Sequence, residues 1–388
     1  MKTDLLHAFV NCEEFVNQTR MTKNCFLAAG FLLMMMGGTT AQTVTVPLTL
    51  NRWDTLGANI TFETYMGKES VLLKSGFMSV KNADLRDGTI KADISFPGQR
   101  GFPGLVFRMQ DMDNLENFYV RPHQSGNPDA TQYTPVFNGQ AGWQLYHGEG
   151  YSKEYTFRFE QWHHVKIDMH GLQAEIYIDD MKNPLIKVAE LLNGWKKGAF
   201  GFVAGGVPLR FADVQYTPKE GAAPAAIPVP ATGTGGLITQ WHVSDVVNRN
   251  LFLKKYQLNP AIKGRLKWTT QHTEPSGTIN LARFGKLADS ANAMVAKVLI
   301  DSKTEQMKLL HFGFSDFVIL YLNDKAFYSG SDAYRSRDYR FLGTIGYFDG
   351  LILPLKKGVN ELWFVVAESF GGWGLKAKFE DMNGILLK

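Results

Sequence analysis

The sequence predicts an all-β protein built as two antiparallel sandwiches, and three observations carry that expectation. Apolar and polar residues alternate over short runs, turn residues separate the runs, and no amphipathic helix pattern intervenes. A chain of 388 residues with 45% hydrophobic side chains is long enough to bury two cores. Its 41 basic and 37 acidic residues leave a net charge of only +4. Binding to a phosphate backbone calls for a denser basic surface, so nucleic acid is set aside as a partner.

Residues 1–41 read as a leader and export signal. After Lys23 comes an uncharged run over 25–36, then small residues up to Ala41 before the polar Gln42, the order of a cleavable secretory segment. The run is too short to span a bilayer comfortably, so no membrane span is expected. Met21 sits well for a start residue ahead of this segment. Cleavage after Ala41 removes Lys2, Arg20 and Lys23 together with Asp4, Glu13 and Glu14, three charges of each sign, and the net +4 is unchanged. It also removes both cysteines, Cys12 and Cys25, leaving no disulfide, thiolate nucleophile or cysteine metal ligand. The expected product is a secreted or periplasmic protein, monomeric or weakly associated.

The first sandwich is expected over 42–216. Ile90, Ala92, Ile94 and Phe96 alternate with Lys91, Asp93 and Ser95 after a turn placed at Asp87-Gly88. Val165, Ile167 and Met169 alternate likewise, turn at His170-Gly171, and continue as Leu172, Ala174, Ile176 and Ile178, a hairpin whose inner faces agree. Runs over 198–203 and 210–216 complete the set. Prolines and small residues then fill 217–236, read as a linker. The second sandwich is expected over 237–388, with strands over 294–300, 317–322 and 359–366 and a hairpin turn at Asn323-Asp324.

Two resemblances follow from particular stretches. Asn117-Phe118-Tyr119-Val120-Arg121-Pro122-His123, together with 104–108, 111–114, 162–167 and 174–179, resembles the concanavalin A-like lectin/glucanase sandwiches. More narrowly, it resembles the laminin-G-like and 3-keto-disaccharide hydrolase-type domains of exported bacterial proteins. Tyr321-Leu322-Asn323-Asp324, 353–362 and Glu368-Ser369-Phe370-Gly371-Gly372-Trp373-Gly374 resemble the galactose-binding-like jelly rolls appended to carbohydrate-active enzymes. The resemblances imply a carbohydrate partner. The chain departs from the glucanase pattern in lacking Glu-x-Asp-x-x-Glu, the strand arrangement that aims carboxylates into a cleft for acid/base and nucleophile work. It also lacks His-Glu-x-x-His, Gly-x-Ser-x-Gly and a phosphate loop. Gly233-Thr234-Gly235-Gly236 has no strand before it or helix after it, and is no dinucleotide fingerprint.

Sugar sites need an aromatic face for ring C–H surfaces and planar polar groups for hydroxyl pairs. The candidate ligand-binding residues are therefore Tyr119, Arg121, His123, Asp129, Tyr133, Asn138 and Trp143 in the first half, with Arg335, Arg337 and Trp373 in the second. Tyr119, Arg121 and His123 alternate, which places them on one face of a strand, expected to line a concave groove with Arg121 exposed in it. A polar face with a satisfied ion pair, Trp143 as a core residue, and Trp373 as a core lid are the competing readings. Arg335 and Arg337 could grip a carboxylated or hydroxyl-rich glycan bidentately, or pin their own loop through Asp338. No cofactor is certain. Calcium is possible, since Asp111, Asp113 and Asn114 have calcium-loop spacing and Asp129 could ligate it, although turns explain these residues as well. His163 and His164 point to opposite faces and are structural. The leading function is glycan binding. The alternatives are a keto-glycoside hydrolase using His123, Asp129 and a bound divalent ion, and a structural adhesion module.

The export reading has a direct test: N-terminal sequencing of protein recovered outside the cytoplasm is expected to return Gln42 as the first residue. Recovery of intact residues 1–41 would reject it.

Overall fold

Hairpin register turns the alternation into a core. In the computed structural model, which describes residues 42–388, strand His163–His170 pairs with Gln173–Ile178 so that Val165, Ile167 and Met169 stand opposite Ile178, Ile176 and Ala174. All six are buried, whereas the intervening Lys166 reaches over the Tyr177 ring at 3.6 Å on the outer face. A one-residue slip would reverse both faces, so burial fixes the register. The stretch read from sequence as an export signal, with both cysteines, lies outside the described residues.

The first sandwich stacks two eight-stranded antiparallel sheets. One runs in the order Ile186–Val188, Gln173–Ile178, His163–His170, Asp87–Ser95, Leu209–Lys219, Lys68–Ser75, Asn59–Tyr65, with Val44–Thr45 beside Leu209–Lys219. The other runs Gln140–Ala141, Thr131–Phe137, Asn114–Val120, Gly104–Asp111, Ala199–Val203, Phe77–Val80, Trp53–Asp54, with Ser152–Lys153 beside Thr131–Phe137. Between them Trp53, Phe202 and Phe211 pack together, the two phenylalanine rings stacked at 4.2 Å. Asp87-Gly88, expected as a turn, instead opens strand Asp87–Ser95. Gly88 pairs with Pro218 at a φ of +138°, where a Cβ would lie 2.3 Å from the Thr217 carbonyl oxygen. Close backbone approach, not a reversal of direction, is what requires glycine there.

The second sandwich packs a seven-stranded sheet on a four-stranded one. The larger runs Trp268–His272, Gln240–Ser244, Ala293–Ser302, Gly358–Ala367, Phe317–Leu322, Lys325–Ser331, with Ile385–Leu387 beside Ala293–Ser302. The smaller runs Ile279–Asn280, Gly374–Phe379, Gln306–Ser315, Asp349–Leu355. Asn323 and Asp324 have φ of 50° and 68°, both positive as a tight primed hairpin turn demands.

The expected linker begins later than its composition suggests. Thr217, Pro218 and Lys219 still pair with Thr89, Gly88 and Asp87, and only 220–231 carries no secondary structure. The sandwiches also share an apolar junction: Phe137, Leu145, Tyr146 and Leu192 from the first half are buried in the same cluster as Ile279, Leu281 and Trp373 from the second. Polar contacts line that junction. Asn138 Nδ2 donates to the Ala282 carbonyl at 2.8 Å, Tyr146 hydroxyl donates to Glu274 at 2.5 Å, and Arg283 donates to the Leu192 carbonyl at 3.0 Å.

Limited proteolysis is expected to cut first within 220–231, where backbone pairing is absent. The two pieces should then co-elute on size exclusion under native conditions, held by the junction. Separation into independent fragments would show that the junction is too weak to hold them.

Candidate functional site

Gln144 is the point from which a pocket between the two sandwiches is built. Its side chain is fully buried and every polar group it has bonds to the second sandwich. Its backbone N–H donates to the Gly371 carbonyl at 2.9 Å and its carbonyl accepts from Ile345 N–H at 2.9 Å. Its Nε2 donates to the Leu342 carbonyl at 2.8 Å, and its Oε1 accepts from the Ser315 hydroxyl at 3.0 Å. Gly371 has a φ of +101°, and a Cβ there would fall 2.5 Å from Gln144 Oε1. Only glycine lets the two segments approach this closely.

That clamp brings aromatic residues from both halves around one cavity of about 250 Å³. Trp143 from the first sandwich meets Phe370 and Tyr334 from the second edge-on, with centroids 5.8 and 6.3 Å apart, and Tyr334 meets Phe370 at 6.1 Å. On the other side Phe102 packs edge-on against Tyr119 at 6.0 Å and His123 at 5.6 Å. Arg121 lies between these groups, its guanidinium carbon 5.0 Å from the Tyr119 centroid and 5.7 Å from that of Trp143. Arg100, Asn117, Gln124 and Asp129 complete the polar lining.

Arg121 is 5% exposed, a correction to the exposed groove arginine expected from sequence. It donates to the Asp129 carbonyl at 2.7 Å, to the Tyr119 hydroxyl at 2.9 Å and to Gln132 Oε1, with the Asp129 carboxylate 3.8 Å away. Burial pushes the Tyr119 phenol up to about 12, so its hydroxyl stays protonated, accepting from Arg121 and donating to Gln132 at 2.9 Å. Burial, then the charges of Arg100 and Arg121, lower the His123 pKa, which keeps its ring neutral at neutral pH. Two polar atoms of the lining, Asn117 Oδ1 and His123 Nδ1, are buried without a hydrogen-bond partner among the described residues. Such atoms cost stability unless something satisfies them.

Five of the candidates named from sequence, Tyr119, Arg121, His123, Asp129 and Trp143, line this cavity. His123 follows the strand on a short 3-10 turn, Pro122–Gln124, rather than continuing it. The other five lie elsewhere. Tyr133 is fully buried in the first core and donates to Glu116 at 2.7 Å. Asn138 spends its amide on the junction. Trp373 is fully buried and donates to the Val366 carbonyl at 3.0 Å, which makes it core. Arg337 pairs with Asp332 and Asp349, not with Asp338, whose partner is Arg340 at 3.0 Å. Arg335 is exposed, 4.9 Å over the Tyr334 ring, one residue outside the lining.

Asp111 accepts from Asp113 N–H at 2.8 Å and from Asn114 at 3.0 Å, and Asp113 pairs with Lys286, so these residues form a turn tied to the second sandwich. Among the described residues no group of three or more His, Cys, Asp or Glu gathers as metal ligands. His163 is buried against Asp179 at 2.8 Å and stacks on Phe96, while His164 points outward to Asp93.

Sequence reasoning missed Arg100, Phe102, Asn117, Gln124, Ala141, Tyr334, Leu342 and Phe370. Asn117 was within reach, because it lies two residues before Tyr119 on the same strand and so shares its face. Tyr334, Leu342 and Phe370 enter only through the docking of the sandwiches, which leaves no local signal.

No family model matches the chain, and no curated protein matches it. Three solved structures that it resembles each match less than half of it. The carbohydrate-binding module CBM66 from Bacillus subtilis shares 20% identity over 43% of this chain and 96% of its own, with a TM-score of 0.33. A Bacillus subtilis protein of unknown function with a galectin-like fold gives 10%, 45%, 94% and 0.34. A putative glycosyl hydrolase from Parabacteroides distasonis gives 11%, 46%, 100% and 0.30.

The loop that carries Phe370 is held by two buried acids. Asp316 accepts from the N–H groups of Ser369 and Phe370 at 2.8 and 2.7 Å and from the Ser369 hydroxyl at 2.5 Å. Glu368, 2% exposed, accepts from Gly372 N–H at 3.1 Å, and burial, with Asp316 nearby, pushes its carboxyl up to about 8. A carboxyl raised on folding contributes stability that is fully present below its ordinary value near 4.5 and is lost as pH rises through about 8. The melting temperature is thus expected to fall from pH 6.5 to 9. Glu368→Gln keeps the acceptor but cannot ionise, and should flatten that fall. An unchanged slope in the variant would assign the effect to other groups.

Proposed function

We propose that the protein binds one sugar residue at the end of a glycan in the pocket between its sandwiches, as an exported lectin-like protein. On this reading the first sandwich is concanavalin A-like and the second galactose-binding-like, in line with the stretches that resemble those families. The observation that carries the proposal is the pairing of an aromatic enclosure with unsatisfied planar polar atoms. Trp143, Tyr334, Phe370 and Phe102 present ring faces and edges to C–H surface, while Asn117 and His123 wait beside them for hydroxyl partners. An apolar ligand would leave those atoms unsatisfied.

Size narrows the ligand. At about 250 Å³ the cavity falls below the roughly 300–1,000 Å³ of pockets for drug-sized ligands, which suits one ring rather than a chain laid along a groove. The groove expected from sequence is replaced, in this reading, by a pocket at the junction. Two-carboxylate glycoside hydrolysis finds one acid, Asp129, among the lining residues, and binding is therefore favoured over cleavage.

Glycan-array screening of residues 42–388 followed by titration calorimetry tests the proposal. Trp143→Ala should weaken binding of the best ligand about tenfold, or roughly 1.4 kcal/mol, the scale of a lost aromatic contact. Asn117→Ala should weaken it without lowering the melting temperature, since that side chain has no protein partner to lose. Arg121→Ala should lower stability as well as affinity, because the guanidinium braces Tyr119, Gln132 and Asp129. An array without any glycan ligand would sink the proposal. Release of product from keto-glycosides would favour the hydrolase instead.

A further inference from the structure

We infer that a cleft beside the pocket is a second subsite, which takes the residues next to the terminal sugar of a neutral oligosaccharide, a step that rests on the sugar reading above. The cleft, of about 970 Å³, is lined by parts of 128–129, 147–154 and 184–189 from the first sandwich and by Leu342 and Thr344 from the second. Asp129 and Leu342 line the pocket as well. The two spaces therefore meet along one edge, and a chain whose end sits in the pocket has the cleft directly beside it.

That edge is held from behind on both sides. Arg121 donates to the Asp129 carbonyl at 2.7 Å, and Gln144 Nε2 donates to the Leu342 carbonyl at 2.8 Å. The wall built by the loop after Tyr146 is fixed too: His147 Nε2 donates to the Ile345 carbonyl at 3.0 Å, and Gly148 N–H donates to the Ser152 hydroxyl at 2.9 Å. A ligand entering such a cleft need not order its walls first.

The lining selects for an uncharged chain. Glu149 and Glu154 stand with Lys153 and Lys187 around it, two charges of each sign, and none of the four has a salt-bridge partner among the described residues. Asp129 has Arg121 as its counterion at 3.8 Å. A polyanion or polycation would meet repelling groups as often as attracting ones. Hydroxyl groups, which donate and accept, can use both kinds. No Trp, Tyr or Phe lines the cleft, so hydrogen bonds and not ring stacking would hold the chain there.

The test titrates gluco-, galacto-, manno-, xylo- and fructo-oligosaccharides of one to four residues into the protein at low and at moderate salt. In at least one series the trisaccharide should bind about tenfold tighter than the monosaccharide, the scale of one hydrogen bond to a charged group. The gain should be the same at both salt concentrations, because the chain carries no charge to screen. Ala189→Trp, which fills the cleft from an exposed position, should bring the trisaccharide back to the affinity of the monosaccharide. Lys187→Ala, which removes a donor without adding bulk, should reduce the gain about threefold. Melting temperatures of both variants separate loss of the cleft from loss of the fold. Equal affinity at every length, or a gain that survives Ala189→Trp in folded protein, would overturn the second subsite while leaving the sugar reading in place. A gain that disappears at moderate salt would overturn the neutral chain. Failure of every series, monosaccharides included, would overturn both readings.

Discussion

Four hydrogen bonds from Gln144 set where the two sandwiches meet. This residue belongs by sequence to the first sandwich, yet its backbone N–H, its carbonyl, its side-chain nitrogen and its side-chain oxygen all bond to the second. An amide buried in a junction without these partners would be costly, so the interaction fixes where the two sandwiches meet as well as holding them together. Its neighbour Trp143 is thereby pointed at Phe370 and Tyr334, and the enclosure exists because that one position is specified.

Most of the fold was legible because burial acts on local pattern. Hairpin 163–178, the strands around 90–96 and 359–366, and the turn at Asn323-Asp324 each announce themselves through period-two alternation or residues that tolerate positive φ. Asp87-Gly88 misled because glycine serves close backbone approach as readily as a turn, and only the partner strand tells which. The site was legible in part. Tyr119, Arg121, His123, Asp129 and Trp143 fall within one stretch of chain whose composition is visibly polar and aromatic. Tyr133 and Trp373 have the same composition but lie in the cores, and side-chain chemistry alone does not separate an aromatic residue that packs from one that receives a ligand.

The second sandwich contributes to the pocket through a loop whose geometry depends on buried acids. Asp316 gathers the N–H groups of Ser369 and Phe370 at a carboxylate with no exposure to solvent, and Glu368 closes the same loop from the other side. Phe370 itself is 57% exposed, so packing alone would hold it loosely. Hydrogen bonds to its own backbone place it instead. An exposed aromatic wall can thus be positioned without being buried, which leaves its face free for contact.

The unpaired segment between the sandwiches has a different role from the one its composition suggests. Because Gln144 and the shared apolar cluster set the geometry of the junction, residues 220–231 need only keep the two halves at high effective concentration. A tether of this kind is insensitive to its own length over a modest range, since loop-closure entropy changes slowly with residue number. Insertions or deletions there would leave the relative pose of the sandwiches intact, and drift in that stretch among relatives would be neutral where a change at Gly371 would not.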